Sequence, residues 1–436
     1  MPKIVLATFG SYGDLNPYLA MGIALSRLGA DIVVASPGIY QTAIERHGLT
    51  FASLRPEIDE SDSEIFRKVL DPWRGAEYLT RRLLMPVIQK TYEDLDRACE
   101  GADLLVSHVL VYAGRVVAEY RQIPWMMAIL QPMPFFSAYE MPVIPPVNVL
   151  RHLRFLGPAF CARLIELLFR TNGSWGEPVR DLRKRLGLNP GPNPIREGHF
   201  SPHGVLAMFP EAFARRQPDW PEHTISCGFP FLDEDFTGSP MDVTLREFLQ
   251  KGEPPVVFTL GSSAVRVAPW LIEAAAVASR EGAFRAVILA GPEATEIAKR
   301  HTSPKTMIVA SAPYHELFPG SRMIVHSGGI GTTAQSLRCG RPQVIVPFAF
   351  DQFDNAERVA RLGCGLELSM RKAKHPAQIR KAISLAGGLA ETAWRLKEKF
   401  SANGSEIAAE AILSRVRSVL PLLARRSVSG TKKKTR

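Results

Sequence analysis

Residues 325–359, VHSGGIGTTAQSLRCGRPQVIVPFAFDQFDNAERV, gather the residue types that hold a phosphorylated ligand. Apolar residues predict a strand ending at His326, glycines let the chain turn tightly, and Thr332 is expected to open a helix. The first amides of such a helix lack intrahelical acceptors and face the turn, so the turn can hold an anion. Gly328, Gly329 and Gly331 leave room for a diphosphate against the main chain, and Thr332 and Thr333 can add hydroxyl donors. A strand-to-helix connection with no ligand would also use glycine, so the turn alone means only that phosphate can bind.

The next unit narrows the ligand. The predicted strand Gln343–Val346 leads to Asp351, Gln352 and Asn355 on the loop at its C-terminal end, the edge at which open α/β sheets bind ligands. A carboxylate beside amides suits bidentate hydrogen bonding to sugar hydroxyls. Diphosphate and sugar together point to a nucleotide sugar.

These side chains need parallel sheets to carry them, and buried parallel strands read as near-continuous apolar runs. Such runs occur at 4–8, 31–35, 103–107 and 125–129, with a helical pattern over 17–28. The pattern restarts at 255–260, with a GSS turn, a helix over 269–281, and strands at 286–290, 307–310, 323–326 and 343–346. The fold class is therefore α/β, with two doubly wound Rossmann-like domains. A chain of 436 residues is long enough for two cores of about 200 residues each. Residues 1–232 form the first domain, 233–241 an acidic linker and 242–404 the second. Residues 405–424 are read as a helix packing back on the first domain, and 425–436 as a basic disordered tail. Between 132 and 198 the chain is rich in proline, with an apolar, basic helix expected over 151–170 that lines an acceptor pocket, packs on the first domain or rests on a membrane surface.

Composition removes several function classes. With 46% hydrophobic and 22% charged residues the chain is neither disordered nor fibrous. Its five cysteines are scattered and contain no CxxC pair, which argues against a disulfide framework or a zinc site and suits a reducing cytoplasm. No secretory leader is read at the start, and no apolar run is long enough for a bilayer. Of the +10 net charge, six units lie in residues 425–436, and without them it is +4. That tail is read as a solvated end, with contact to anionic lipid at the inner membrane face as the alternative. No basic stripe interleaved with aromatics suggests nucleic-acid binding.

HSGGIGTT followed by FDQFDNA resembles the donor signature of family 1 glycosyltransferases with the two-domain GT-B fold, the UDP-glycosyltransferase superfamily. SPHGVLAMFPEAFA (201–214), PDWP (218–221), GFP (228–230), VFTLGSS (257–263) and DQFDNAERV (351–359) extend the resemblance over most of the chain, nearest to the rhamnosyltransferases of rhamnolipid synthesis. The resemblance implies that Gly328, Gly329, Gly331, Thr332 and Thr333 cradle the diphosphate, with His326, Ser327, Gly13, Ser262 and Ser263 around it. Asp351 and Gln352, with Asn355, then read the sugar. Ser327 stands where many relatives have a second histidine, so it can donate a hydrogen bond but no positive charge. Gln335 replaces the ribose-binding glutamate of plant relatives. Ser311 occupies the place of the base-stacking aromatic, with Tyr314 nearby, which leaves UDP- and dTDP-sugars both open.

GSYGDLNP at 10–17 resembles the family's acceptor-side loop, and there Asp14 takes the position of the catalytic base. An acceptor hydroxyl is a weak nucleophile until a base removes its proton, so a base is required. A carboxylate at a helix start also serves the helix dipole, which is the purely structural alternative. His108 stands where plant relatives place a partner aspartate. Read without the resemblance it is a core histidine. The expected reaction transfers a hexosyl group, rhamnosyl or glucosyl-like, with inversion onto a hydroxyl of a hydrophobic acceptor, with no metal and no cofactor. A hydroxyacyl lipid is the first expectation and a polyketide or sterol the alternative; a sugar-nucleotide epimerase of the same fold is the rival enzyme. Asp233-Glu234-Asp235 imitates a metal-binding DxD motif but falls in the expected linker. A dinucleotide oxidoreductase would need a GxGxxG turn that the first domain lacks.

Overall fold

The expected apolar runs form the strands of two parallel sheets in the computed structural model, which describes residues 1–57, 62–145, 147–233, 240–265, 267–282, 284–291 and 294–430. In the first domain β1 (Lys3–Ala7), β2 (Asp31–Ser36), β3 (Thr50–Ser53), β4 (Leu104–His108), β5 (Trp125–Ile129), β6 (Val205–Ala207) and β7 (Thr224–Ser226) lie in the order β3-β2-β1-β4-β5-β6-β7. In the second, β8 (Val256–Thr259), β9 (Ala286–Leu289), β10 (Thr306–Val309), β11 (Met323–His326), β12 (Gln343–Ile345) and β13 (Gly365–Glu367) lie in the order β10-β9-β8-β11-β12-β13. The order reverses between β1 and β4 and again between β8 and β11, so each sheet has a crevice at its switch point. β3, β6, β7 and β13 are not among the strands read from the sequence; β3, β7 and β13 carry exposed or half-buried residues and so lack the continuous apolar run of a strand buried on both faces.

Helix boundaries moved for local reasons. The first helix spans Tyr12–Arg27 and not 17–28, because Ser11 and Asp14 form a reciprocal capping box that satisfies its first amides, with Pro17 carried inside. The single helix expected over 151–170 is two pieces, a 3₁₀ run Asn148–Leu156 and an α-helix Pro158–Thr171. Gly157, at φ 88°, turns the chain between them. The last helix runs Gly404–Gly430, so residues 425–430 continue it where a disordered tail was expected; 431–436 lie outside the described residues, as do 234–239 of the expected linker.

Apolar contacts between the cores help hold the two halves face to face. Ala408, Ala409, Ile412, Leu413 and Val416 of the last helix share a core with Leu15 and Leu19 of the first, so the chain ends on the domain where it began. Leu70 of the first domain is buried in the core of the second. Ile330, at the start of the donor-turn helix, packs in return against two cores that include the first domain. Both switch-point crevices therefore open on one shared cleft.

Candidate active site

The expected donor turn follows β11. Its helix, Ile330–Arg338, starts two residues before Thr332, with Gly329 as the capping residue. The amides of Ile330, Gly331 and Thr332 are thus the ones without an intrahelical acceptor, because the Thr333 amide already bonds the Gly329 carbonyl at 3.0 Å. The two hydroxyls point elsewhere. Thr333 Oγ1 donates to the Gly329 carbonyl at 3.0 Å, and Thr332 shares a hydrogen bond with Tyr314.

Gly328 is the position at which glycine is obligatory. It has φ 91°, and a Cβ there would meet Ile345 Cγ2 at 2.7 Å and the Gln352 carbonyl at 3.0 Å. Gly329 and Gly331 are different, since a Cβ on either would meet nothing within 4 Å. Their hydrogens border open space, where a ligand can approach the main chain.

His326 is turned inward. Its Nε2 donates to Gln343 Oε1 at 2.8 Å and its Nδ1 accepts the Gly328 amide at 3.0 Å, which fixes the tautomer and the shape of the turn. Burial pushes its pKa down to about 4, so the ring is neutral and both nitrogens are occupied. Ser327 is buried too, and its hydroxyl donates to the Leu260 carbonyl at 3.0 Å, tying the end of β8 to β11. The hydrogen bond that Ser327 was expected to offer a diphosphate is spent inside the protein. The side chains of Ser262 and Ser263 lie outside the described residues; their backbone forms a helical turn, Gly261–Ala264, after β8.

Tyr314 and Gln335 also work locally. The Tyr314 hydroxyl lies 2.8 Å from Thr259 Oγ1 and its ring stacks on Phe318, with centroids 4.5 Å apart. Gln335 bonds Asp233, which also pairs with Arg338. Asp233 is therefore engaged by protein, and Glu234 and Asp235 of the DxD look-alike lie outside the described residues. Among the described residues no three histidine, cysteine or acidic side chains group as metal ligands.

The residues expected on the sugar side sit at the start of the helix Gln352–Arg361, with Asp351 at its N-cap position. Asn355 Nδ2 donates both to Asp351 Oδ2 at 2.7 Å and to the Gly328 carbonyl at 2.9 Å, so one amide orients the carboxylate and locks it to the turn. Gln352 Oε1 accepts the amides of Phe348 at 2.7 Å and Ala349 at 3.2 Å, which leaves its amide hydrogens for a ligand. Burial, with the nearby charge of Asp14, raises the Asp351 carboxyl to about 7.

Asp14 comes from the facing domain. Its Oδ2 accepts the Ser11 amide at 2.7 Å and lies 3.2 Å from the Ser11 hydroxyl, while the Gly13 amide turns back to Ser11 Oγ at 3.2 Å. Gly13 is thus part of the cap. The other oxygen, Oδ1, lies 3.8 Å from His108 Nε2, beyond hydrogen-bond length. Of the two roles weighed for Asp14, the helix cap uses only Oδ2, and Oδ1 takes no part in it. His108 is buried against the edge of Tyr18; neither ring nitrogen makes a hydrogen bond of full geometry, although the Phe9 backbone and Asp14 lie near enough to favour its charged form, and burial, the larger effect, lowers its pKa and favours the neutral ring.

Sequence reasoning missed three participants. Gln343, which holds His326, is found only through the pairing of β11 with β12. Asp354 and Arg358 pair within the helix at 2.7 Å, and their spacing of four in DNAER was the available signal.

Comparison with known proteins gives the same architecture. Residues 4–137 match the glycosyltransferase family 28 N-terminal domain, and residues 275–412 match the C-terminal domain of erythromycin biosynthesis protein CIII-like proteins. The chain is 30% identical over 373 residues to the O-mycaminosyltylonolide 6-deoxyallosyltransferase of Streptomyces fradiae, covering 83% of this chain and 84% of that one. It is 27% identical over 429 residues to the sterol 3-beta-glucosyltransferase of Pichia angusta, covering 94% of this chain but 32% of that larger protein. The chain spans about a third of the length of that relative. Among solved structures it resembles the glycosyltransferase of kitacinnamycin (TM-score 0.70, 18% identity, 95% of this chain and 100% of that one). It also resembles a spinosyn rhamnosyltransferase complexed with thymidine diphosphate (TM-score 0.63, 17% identity, 94% and 99%).

Proposed function

We propose a reaction from one premise: the chain belongs to the GT-B glycosyltransferases, with a family 28 N-terminal domain and an EryCIII-like C-terminal domain, and is a glycosyltransferase. The observation that carries the reading is the division of labour across the cleft. Open amides and Asp351 belong to the second domain, and the uncapped oxygen of Asp14 belongs to the first.

In this reading the amides of Ile330, Gly331 and Thr332 receive the diphosphate of a UDP- or dTDP-sugar, and Asp351 and the Gln352 amide bond the sugar hydroxyls. Asp14 Oδ1 takes the proton of the acceptor hydroxyl as its oxygen attacks the anomeric carbon. The bond from that carbon to the β-phosphate oxygen breaks with inversion, and the helix amides stabilise the charge that develops on the leaving diphosphate. Neutral His108 supports the site by filling the space beside Asp14, with Nε2 within a small movement of the carboxylate.

The acceptor is a hydrophobic alcohol. The O-mycaminosyltylonolide and sterol glycosyltransferases it is similar to favour a ring-system acceptor, and the sequence blocks favour a hydroxyacyl lipid with rhamnose as the sugar. Thymidine diphosphate in a structural neighbour supports a dTDP-sugar. None of the described helices is long and apolar enough to cross a membrane, and the reading places the enzyme in the cytoplasm, meeting its acceptor from solution or at the inner membrane face. The test is transfer by purified protein from a panel of UDP- and dTDP-sugars to hydroxyacyl, sterol and macrolactone acceptors, read by mass spectrometry. Absence of transfer and of donor hydrolysis with every pair overturns the reading.

A further inference from the structure

The helix Gln352–Arg361 is fixed on two sides, and only one of them faces the donor turn. Its first turn is locked to Gly328 through Asn355. On the next face round, Asp354 Oδ1 accepts the amide of Val143 at 2.9 Å and its Oδ2 accepts Arg358 Nε at 2.7 Å. Arg358 Nη1 continues to Glu140 Oε2 at 2.9 Å, and Arg361 Nη2 reaches Glu140 Oε1 at 2.6 Å. One turn further, Glu357 pairs with Arg154, whose Nε donates to the Met141 carbonyl at 2.8 Å. Residues 140–154 belong to the first domain and follow β5, at the C-terminal edge that also carries His108.

This lattice has the composition of a registering device. The side chains of Asp354 and Arg358 are 1% and 4% exposed, and that of Glu140 is 16% exposed. Burial alone would raise the Glu140 carboxyl, but Arg358 and Arg361 together hold it below the usual range. Buried ion pairs add little to stability over apolar packing of the same volume, but they accept only one geometry, and leaving one partner alone is costly. The partners here lie more than 200 residues apart and on different domains.

We propose that Glu140 and Arg358 are positioning residues that couple the wall formed by residues 140–145 and 147–154 to the donor, by holding the helix whose N-terminus presents Asp351. This rests on the reading of Asp351 and the adjacent turn as the donor site. Both act through that helix, since their hydrogen bonds run to each other, to Asp354 and to Arg361. A nucleotide that settles on the turn draws the Gln352–Arg361 helix into one position, and the helix draws the wall with it. By linkage, an ordered wall favours the nucleotide equally.

The experiment measures hydrogen exchange across residues 139–156, and nucleotide affinity, with dTDP and UDP as probes, for the full chain and for Glu140→Gln and Glu140→Asp. In the wild type, nucleotide slows exchange both at the donor turn and at 139–156. In Glu140→Gln the donor turn is still protected, 139–156 is not, and the Kd rises about fivefold; Glu140→Asp restores most of both. Arg361→Gln, at an exposed partner, gives the same change in smaller measure and serves if Glu140→Gln does not fold. Nucleotide binding that leaves 139–156 unprotected in the wild type, or equal protection in the Gln variants, overturns the coupling while leaving the donor site standing. Failure of both nucleotides to bind the wild type removes the donor reading and the coupling with it.

Discussion

Asp14 and Asp351, contributed by different domains, lie close enough that the charge on one raises the pKa of the other. The second carboxyl titrates at about 7, chiefly through burial, and Asp14 adds to the rise. In the folded protein Asp351 therefore holds its proton over a range where the unfolded chain, near an ordinary value of about 3.9, has lost it. Stability from this group is present in full below about pH 4 and is lost as pH rises to about 7. Asp351→Asn should flatten that decline and raise stability at pH 7.5 by on the order of 2 kcal/mol, since the side chain is only partly buried. Thermal midpoints of both proteins from pH 4 to 8 check this, and superimposable profiles contradict it.

Asp14→Asn separates the two oxygens. An asparagine can still accept the Ser11 amide, so the helix cap survives while the base is gone. Transfer should fall by about 10²- to 10⁴-fold with nucleotide affinity unchanged. Asp14→Ala should add about 1 kcal/mol of destabilisation from the lost cap. Wild-type turnover by the Asn variant would remove Asp14 from the chemistry.

Gly328 and Gly331 should respond in opposite ways to alanine. At Gly328 the positive φ and the contacts with Ile345 and Gln352 make Gly328→Ala destabilising, by about 1–3 kcal/mol. Gly331→Ala meets no protein atom, so the fold keeps its melting temperature, and any loss appears in nucleotide affinity as the methyl occupies the ligand's space. Calorimetric titration with UDP and dTDP beside thermal denaturation distinguishes the two, and a Gly331→Ala protein that binds normally would move the diphosphate elsewhere.

His326 supplies an acid-side counterpart. Burial depresses its pKa to about 4, below the ordinary value of about 6.5, so its contribution is complete above pH 6.5 and is lost as pH falls toward 4. Gln343→Leu leaves Nε2–H without its acceptor and should cost about 1–3 kcal/mol at pH 7. Denaturant unfolding at pH 7 measures it, and a neutral effect would show that the buried pair does not brace the turn.

Charge on the leaving diphosphate is assigned to main-chain amides, so EDTA should leave the transfer rate unchanged. A rate abolished by EDTA and restored by manganese would require a metal in the mechanism.

Much of this molecule was written locally. Parallel strands buried on both faces are apolar along their whole length, so β1, β4, β5, β8 and β11 could be seen in their own residues, and with them the α/β class and the two domains. The strand, turn and helix around Gly328 were legible because the glycines, polar residues and following helix are contiguous. What the turn's side chains do was not legible, because that depends on strands adjacent in space and distant in sequence. Register between β11 and β12 places Gln343 beside His326 and makes the histidine a brace, and β8 beside β11 gives the Ser327 hydroxyl the Leu260 carbonyl. Only the packing of one domain against the other brings Asp14 within reach of Asp351, or Glu140 onto Arg358. Residue type and spacing fix what a side chain can donate, accept or ionise; the fold decides which partner takes it up, because burial and distance are properties of the whole chain.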